Sequence, residues 1–381
     1  MATSKKPKKP VKAKKPAGKP KAETKRAAAP PAKAPAKAPA KAPAKTPPTP
    51  VAPPAKAEPK APRRAAKGAG KGKNVAPPRA PAHPALPPFP ADKLPGIAKT
   101  DELLSKHTTF RLGGPAAIHF SPANEDAVAG AIAWAKKMGI PWLVLGLGSN
   151  VLIRDKGFNG LVLKLGKGLD AVATKGNLWK VGAGLPTPLL ARRTAEAGMA
   201  GVQRLIGVPG TVGGGVYMNA GAHGQDFATV VQSATLLMPS GQVEERPRKG
   251  IPFSYRRSGL DDAIVLGCTL KLEEDRADKL KADLGMLLKK RRAGTPFDQA
   301  CCGSVFKNPD IMTAGRLIER CGLKGRRVGG AEVSMMHANY IVNKGSASSD
   351  DVLKLIDIIR TAVFKEFGVE LELEVKVLGL K

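Results

Sequence analysis

No stretch of this 381-residue chain approaches the 18 or more consecutive apolar residues of a membrane span, so no transmembrane segment is expected. The basic N-terminus has no apolar h-region behind it and does not read as a secretory signal. Cysteines are few: Cys268, Cys301, Cys302 and Cys321, without CxxC spacing and without a histidine set beside them. Neither a disulfide framework nor a metal site is expected, and a reduced, cytoplasmic protein follows. P-loop and HExxH motifs are missing, and "GLGSNV" (146–151) lacks the third glycine of a dinucleotide fingerprint. Nucleotide binding by those routes is set aside.

The first quarter of the chain lacks acids and aromatics. Residues 1–90 hold 23 of the 35 prolines and 23 Lys or Arg, against only Glu23, Glu58 and the single aromatic Phe89. Burial there cannot offset a backbone ordering cost of roughly 1–2 kcal/mol per residue. Residues 1–92 therefore read as a disordered basic Lys/Pro/Ala-rich tail, with polyproline II character in "PAKAPAKAPAKAPAK" (31–45). This segment carries +21 of the chain's formal +32, so the charge describes a tail more than a basic fold. Weak, salt-labile contact with a polyanion, nucleic acid or an anionic surface, is one expectation for it, although it lacks aromatics for base stacking. A solvated tether with no partner is the equal alternative.

The other 291 residues exceed one typical core and imply two or three domains. Helical spacing marks 121–139, with Ser121 or Asn124 as cap, then "TPLLARRTAEAG", "RADKLKADLGMLLKKRRAG", "MTAGRLIERCG" and "SSDDVLKLIDIIRTAVFKEFG". In the last of these Ser348 stands three residues before Asp351, a capping-box spacing. Strand patterns occupy "PWLVL", "GLVLKL", "LWKVG", "VVQSATLLMPSGQVEER", "AIVLGCTLKLEE" and a terminal "LELEVKVLG". Strands and helices mix without regular βαβ alternation, which predicts α+β.

Two glycine-dense loops, "LGLGSN" (145–150) and "IGVPGTVGGGVYMNAGAHG" (206–224), let backbone N–H groups converge on a phosphate, with Ser149, Asn150 and Asn219 as side-chain donors. Each alone reads equally well as a tight turn. Arg256 by spacing alone is a surface charge, Glu374 a member of an exposed edge with Glu370 and Glu372, and Ser304 a hydroxyl with no nearby base. Composition and spacing stop at an α+β protein that cradles a phosphorylated ligand.

Taken in order, "HTTFRLGGPA" (107–116), "LGLGSNVLI", "GVPGTVGGGVYMNAGA", "YRRS", "CGSVFKNP", "AGRLIERCGLKG", "VGGAEVSMMHANYIVN" and "ELEVKVLG" resemble the successive motifs of the UDP-N-acetylenolpyruvoylglucosamine reductase family (UDP-N-acetylmuramate dehydrogenases) in its shorter subclass. The resemblance spans about residues 93–381. It implies a two-domain FAD-binding fold of the vanillyl-alcohol-oxidase (PCMH) type, 93–165 with the terminal strand 369–381 and then 166–273. A C-terminal α/β substrate domain would occupy 274–368. It further implies noncovalent FAD, NADPH as co-substrate, and the enolpyruvyl ether of UDP-N-acetylglucosamine as the group reduced in cytoplasmic peptidoglycan synthesis; a monomer is expected.

By the same resemblance, hydride comes from flavin N5 and Ser304 gives the proton, while Arg256 and Glu374 sit at the substrate carboxylate. Tyr255, Lys307, Asn308 and His337 would face substrate. Arg111, Gly146, Gly148, Ser149, Asn150, Gly210, Thr211, Gly213, Gly214 and Asn219 would surround FAD. Thr211 stands for a usual serine and keeps the hydroxyl, and Gly215 stands for a usual alanine, a change expected to be harmless. A related FAD oxidase with another substrate would share the glycine loops but not the pairing of "CGSVFKNP" with "ELEVK".

Overall fold

Asn124 accepts a hydrogen bond from the Ala127 amide at 2.9 Å and starts α1 (Glu125–Lys137). Of the two caps the sequence offers, the structure uses Asn124. The inward face of α1, Val128, Ala131, Ile132 and Ala135, covers Ile118, Phe120, Leu161 and Leu163 of the first sheet. That sheet orders its strands as Gly96–Leu103, Pro115–Pro122, Phe158–Lys164, Trp142–Leu145, the first pair antiparallel and the rest parallel. The structure is a computed structural model that describes His83 and residues 86–380. Most of the basic tail lies outside the described residues. Its end does not: Phe89 packs on Phe120 and Trp134, with ring centroids 4.9 and 5.1 Å apart. The one aromatic of the expected 1–92 tail thus finds a hydrophobic seat beside α1.

A second, wholly antiparallel sheet runs Val243–Pro247, Val231–Leu237, Ile264–Lys271, Leu178–Gly182, Val172–Lys175. Trp179, Val181, Leu236, Val265 and Phe227 fill its core. Helix α2 (Thr187–Glu196) leads to a short α3 (Val212–Tyr217), where the sequence predicts only loop. Glycine is a poor helix former, but close packing selects it here. A Cβ on Gly213 would lie 2.6 Å from that of Ala183, and one on Gly215 would overlap the ring of fully buried Phe227. Phe227 thus fills the space an alanine methyl needs. Gly215→Ala is expected to cost about 1–3 kcal/mol, read as a lower denaturation midpoint; an unchanged midpoint would show that Phe227 moves freely.

Helix α4 (Ala277–Ala293) packs Leu280 and Leu284 on Ala191, Ala195 and Ile206, so it shares a core with α2 rather than with the C-terminal helices. Those are α5 (Ala314–Arg320) and α6 (Ser349–Phe367), packed with Val333 and Ile341 of a small sheet. Both halves of the Ser348–Asp351 capping box form, and Gly368 closes α6 at φ +66°. The terminal strand is shorter than expected, Lys376–Leu378, paired in parallel with Val151–Ile153. Ahead of it the chain crosses the 305–307 segment instead: the Glu374 amide donates to Val305 O and the Lys307 amide to Glu372 O, both at 2.9 Å. Among the described residues no helix is long and apolar enough to cross a membrane.

Candidate active site

The two glycine loops touch. A Cβ on Gly146 would sit 2.6 Å from Thr211 Oγ1, and one on Gly210 3.0 Å from Ser149 Oγ. Thr211 caps α3, and Ser149 Oγ donates to Pro209 O at 3.1 Å. Beneath them Lys164 donates to Gly146 O, and burial pulls its ammonium down to about 8. The loops form one wall of a cavity of about 450 Å³, lined by Gly146, Gly148, Ser149, Asn150, Gly210, Thr211, Gly213 and Gly214. Gly214 is exposed, with nothing nearer than 3.7 Å to where its Cβ would be. Bare backbone from two loops along one wall of the cavity fits a flavin dinucleotide, whose pyrophosphate needs converging N–H groups and room for close approach.

Two predicted cofactor residues lie elsewhere. Asn219 is buried at φ +44°, with both amide N–H groups donated, to Asp226 Oδ2 and Ser254 O, and its Oδ1 accepting from Ala228 N. These bonds brace the 219–228 segment, and Asn219 is not among the residues lining the cavity. Arg111 is exposed and lines a second cavity of about 300 Å³, which meets the first at Ser149, Gly303 and Tyr340.

At the other end the first cavity is lined by Arg256, Ser304 and Glu374, which are far apart in sequence. Arg256 sits in a two-residue turn closed by Ser254 N to Arg257 O (2.9 Å) and Arg257 N to Ser254 O (3.2 Å). Its φ of +57° is an unfavourable conformation for arginine. Nε donates to Glu374 Oε1 and Nη2 to Gly221 O, both at 3.0 Å, which holds the guanidinium at the cavity. Glu370 and Glu372 point to solvent while Glu374 does not. Burial pushes the Glu374 carboxyl above its ordinary range, against the opposing pull of Arg256.

Ser304 follows Gly303, whose φ of +78° suits glycine and turns the chain into the cavity. The loop is fixed by a residue that sequence reasoning did not single out. Buried Asn339 accepts from Phe306 N at 3.0 Å through Oδ1, donates to Phe306 O at 2.8 Å, and its carbonyl accepts from Val305 N at 2.9 Å. Only its place inside "MMHANY" marked it. Among the described residues no protein group hydrogen-bonds the Ser304 hydroxyl. Burial raises the thiol pKa of both Cys301 and Cys302, which disfavours the thiolate at either.

Of the other expected substrate residues, Tyr255, Lys307, Asn308 and His337, none lines the cavity itself; Tyr255 and His337 adjoin residues that do. Tyr255 is exposed, with Oη 3.5 Å from the Asn308 amide and its ring 5.0 Å from the Arg256 guanidinium carbon. Lys307 is already paired with Glu372 at 2.6 Å, and Asn308 Oδ1 accepts from Ala314 N at the start of α5. His337 lies against Tyr340, ring centroids 4.9 Å apart, and burial holds it below its usual pKa.

Residues 116–246 match an FAD-binding domain family, and residues 295–378 match the C-terminal domain of UDP-N-acetylenolpyruvoylglucosamine reductase. The reductase of that name from Anoxybacillus flavithermus is 39% identical over 289 residues, 75% of this chain and 96% of that protein. The Bacillus subtilis reductase is 38% identical over 287 residues, 74% and 95%. The crystal structure of the reductase from Thermus caldophilus aligns with a TM-score of 0.65 at 34% identity, covering 74% of this chain and 99% of that one. With the ordered motifs, the glycine-walled cavity and near-complete coverage of these relatives in agreement, the chain belongs to the UDP-N-acetylenolpyruvoylglucosamine reductase family of FAD-binding oxidoreductases.

Proposed function

We propose that this chain uses NADPH to reduce the enolpyruvyl ether of UDP-N-acetylglucosamine to UDP-N-acetylmuramate, as a monomer in the cytoplasm. The observation that carries this reading is the meeting of Arg256, Glu374 and Ser304 in one cavity whose other wall is the double glycine loop. Gly146–Asn150 and Gly210–Gly214 would hold FAD, which when bound would supply the hydride for the enolpyruvyl methylene carbon. Everything else falls to side chains. Addition there leaves negative charge on the neighbouring carbon, delocalised into the carboxylate as an enolate. Arg256 stabilises that developing charge from a preorganised position. An ionised Glu374 would repel the enolate, whereas a protonated one donates a hydrogen bond to it, and burial moves the group in that direction. Ser304 then gives its hydroxyl proton to the enolate carbon, a strong enough base to take it, and recovers a proton from solvent.

The domain assignment follows as part of the proposal: residues 93–165 with 369–381, and 166–273, hold the cofactor, and 274–368 brings the substrate. Tyr255, Asn308 and His337 rim the substrate end. Lys307 acts there through the segment it ties to Glu372. The purified protein should be yellow, bleach on addition of NADPH, and recolour when the UDP-enolpyruvyl sugar is added anaerobically but not with simple alcohols. Equal reoxidation by unrelated acceptors would favour a different FAD enzyme on the same fold.

A further inference from the structure

Helix α4 ends in four consecutive basic residues, 289–292, and they do not share one environment. Lys289, Lys290 and Arg292 are exposed, as a charge run on a surface helix ordinarily is. Arg291 turns inward. Its methylene stem lies on the bare backbone of Gly207, where a Cβ would come within 2.8 Å of Arg291 Cγ. The guanidinium end lines both the 450 Å³ cavity and its 300 Å³ neighbour, at the place where Ser149, Pro209 and Gly303 also border both.

Among the described residues little satisfies this charge. Arg291 Nε is buried with no hydrogen-bond partner, and the one contact from Nη2, to Tyr340 Oη, is long at 3.5 Å. Among the described residues no carboxylate lies within ion-pair distance of it. The contrast is Arg256, on the same cavity, which has a carboxylate and a carbonyl. Nor does Arg291 cap its own helix, because a capping guanidinium would find a carbonyl for Nε. A half-buried guanidinium left unpaired is costly, and one facing a cleft between two glycine loops has the fork geometry for a phosphate. Its field is felt across the site, lowering the proton affinity of His223, His337 and Glu374.

We infer that Arg291 is a pyrophosphate clamp, reaching from α4 over Gly207 to bind the diphosphate of a nucleotide held in the cleft. Three nucleotides of the proposed reaction carry a diphosphate, FAD, NADPH and the UDP-sugar; the inference, which rests on the proposed function, assigns the clamp to one of the two that are held together, FAD or the UDP-sugar. It adds a residue that neither glycine loop contains. It also gives the 206–210 segment a second role, since Gly207, by lacking a side chain, leaves the path along which the arginine reaches the cavity.

The test compares the wild-type protein with Arg291→Met, which keeps the stem packed on Gly207, and Arg291→Lys, which keeps stem and charge. In the first arm each protein is stripped of flavin and titrated with FAD, following the quenching of flavin fluorescence. In the second, FAD-saturated protein is titrated with UDP by calorimetry. Loss of one charge-assisted, bidentate contact should weaken binding by about 10- to 100-fold in one arm for Arg291→Met, with Arg291→Lys recovering part of it. Weakened FAD binding alone assigns the clamp to the cofactor, and weakened UDP binding alone assigns it to the substrate. Both arms within twofold of wild type overturn the inference, as does an equal loss in Met and Lys variants with a lowered melting temperature. A wild-type protein that binds neither FAD nor UDP would instead overturn the proposed function.

Discussion

Ser304→Ala is expected to leave NADPH bleaching of the flavin at its wild-type rate and to slow recolouring by the UDP-enolpyruvyl sugar by about 10² to 10⁴, the usual worth of a positioned proton donor. The split follows from what the hydroxyl touches. No protein group among the described residues hydrogen-bonds it, so its removal strands no partner. The loop that carries it is fixed through backbone groups by Asn339 and by Thr109, whose hydroxyl donates to Cys301 O at 2.7 Å. Alanine therefore keeps the cavity and deletes only the proton. Stopped-flow absorbance separates the two half-reactions, and a solvent deuterium isotope effect on recolouring reports the proton transfer. Equal slowing of bleaching and recolouring would mean that Ser304 shapes the flavin site and that another group gives the proton.

The parts of this architecture that were legible in the sequence are those set by local rules. The Ser348–Asp351 capping box and the Asn124 cap need only a few neighbouring residues, and both form. The glycine loops were also legible, because backbone approach is a property of composition at one place. Their packing was not. That Gly215 makes room for Phe227, or Gly207 for Arg291, depends on side chains 12 and 84 positions away. For the same reason α3 was hidden: three glycines argue against a helix until Ala183 and Phe227 are in place. Asn219 shows the converse: a side-chain amide in a glycine loop looks like a ligand donor, and only the fold reveals that it bonds Asp226, Ser254 and Ala228. The terminal Glu370, Glu372 and Glu374 read as one exposed edge by alternation. Crossing the 305–307 segment turns Glu374 alone into the cavity.

The Arg256–Glu374 pair carries the second large effect, and pH reports it. Glu374→Ala and Arg256→Met are each expected to slow enolpyruvyl reduction by about 10² to 10³, the cost of losing one preorganised donor to a developing oxyanion, with NADPH bleaching much less affected. The pH dependence separates the two roles. Because burial raises the Glu374 pKa, its protonated, donating form persists above the ordinary carboxylate range, and activity should decline as pH rises through that raised value. Glu374→Gln has a permanently neutral donor of similar shape, so it should retain roughly tenfold more activity than Glu374→Ala and lose the alkaline decline. Arg256→Met removes the cation that opposes the shift, so the decline should move to still higher pH while the maximum rate falls. Rates of recolouring measured across pH for the four proteins decide this. An alkaline limb that survives unchanged in Glu374→Gln would assign the titration to another group and leave Glu374 as no more than the anchor of Arg256.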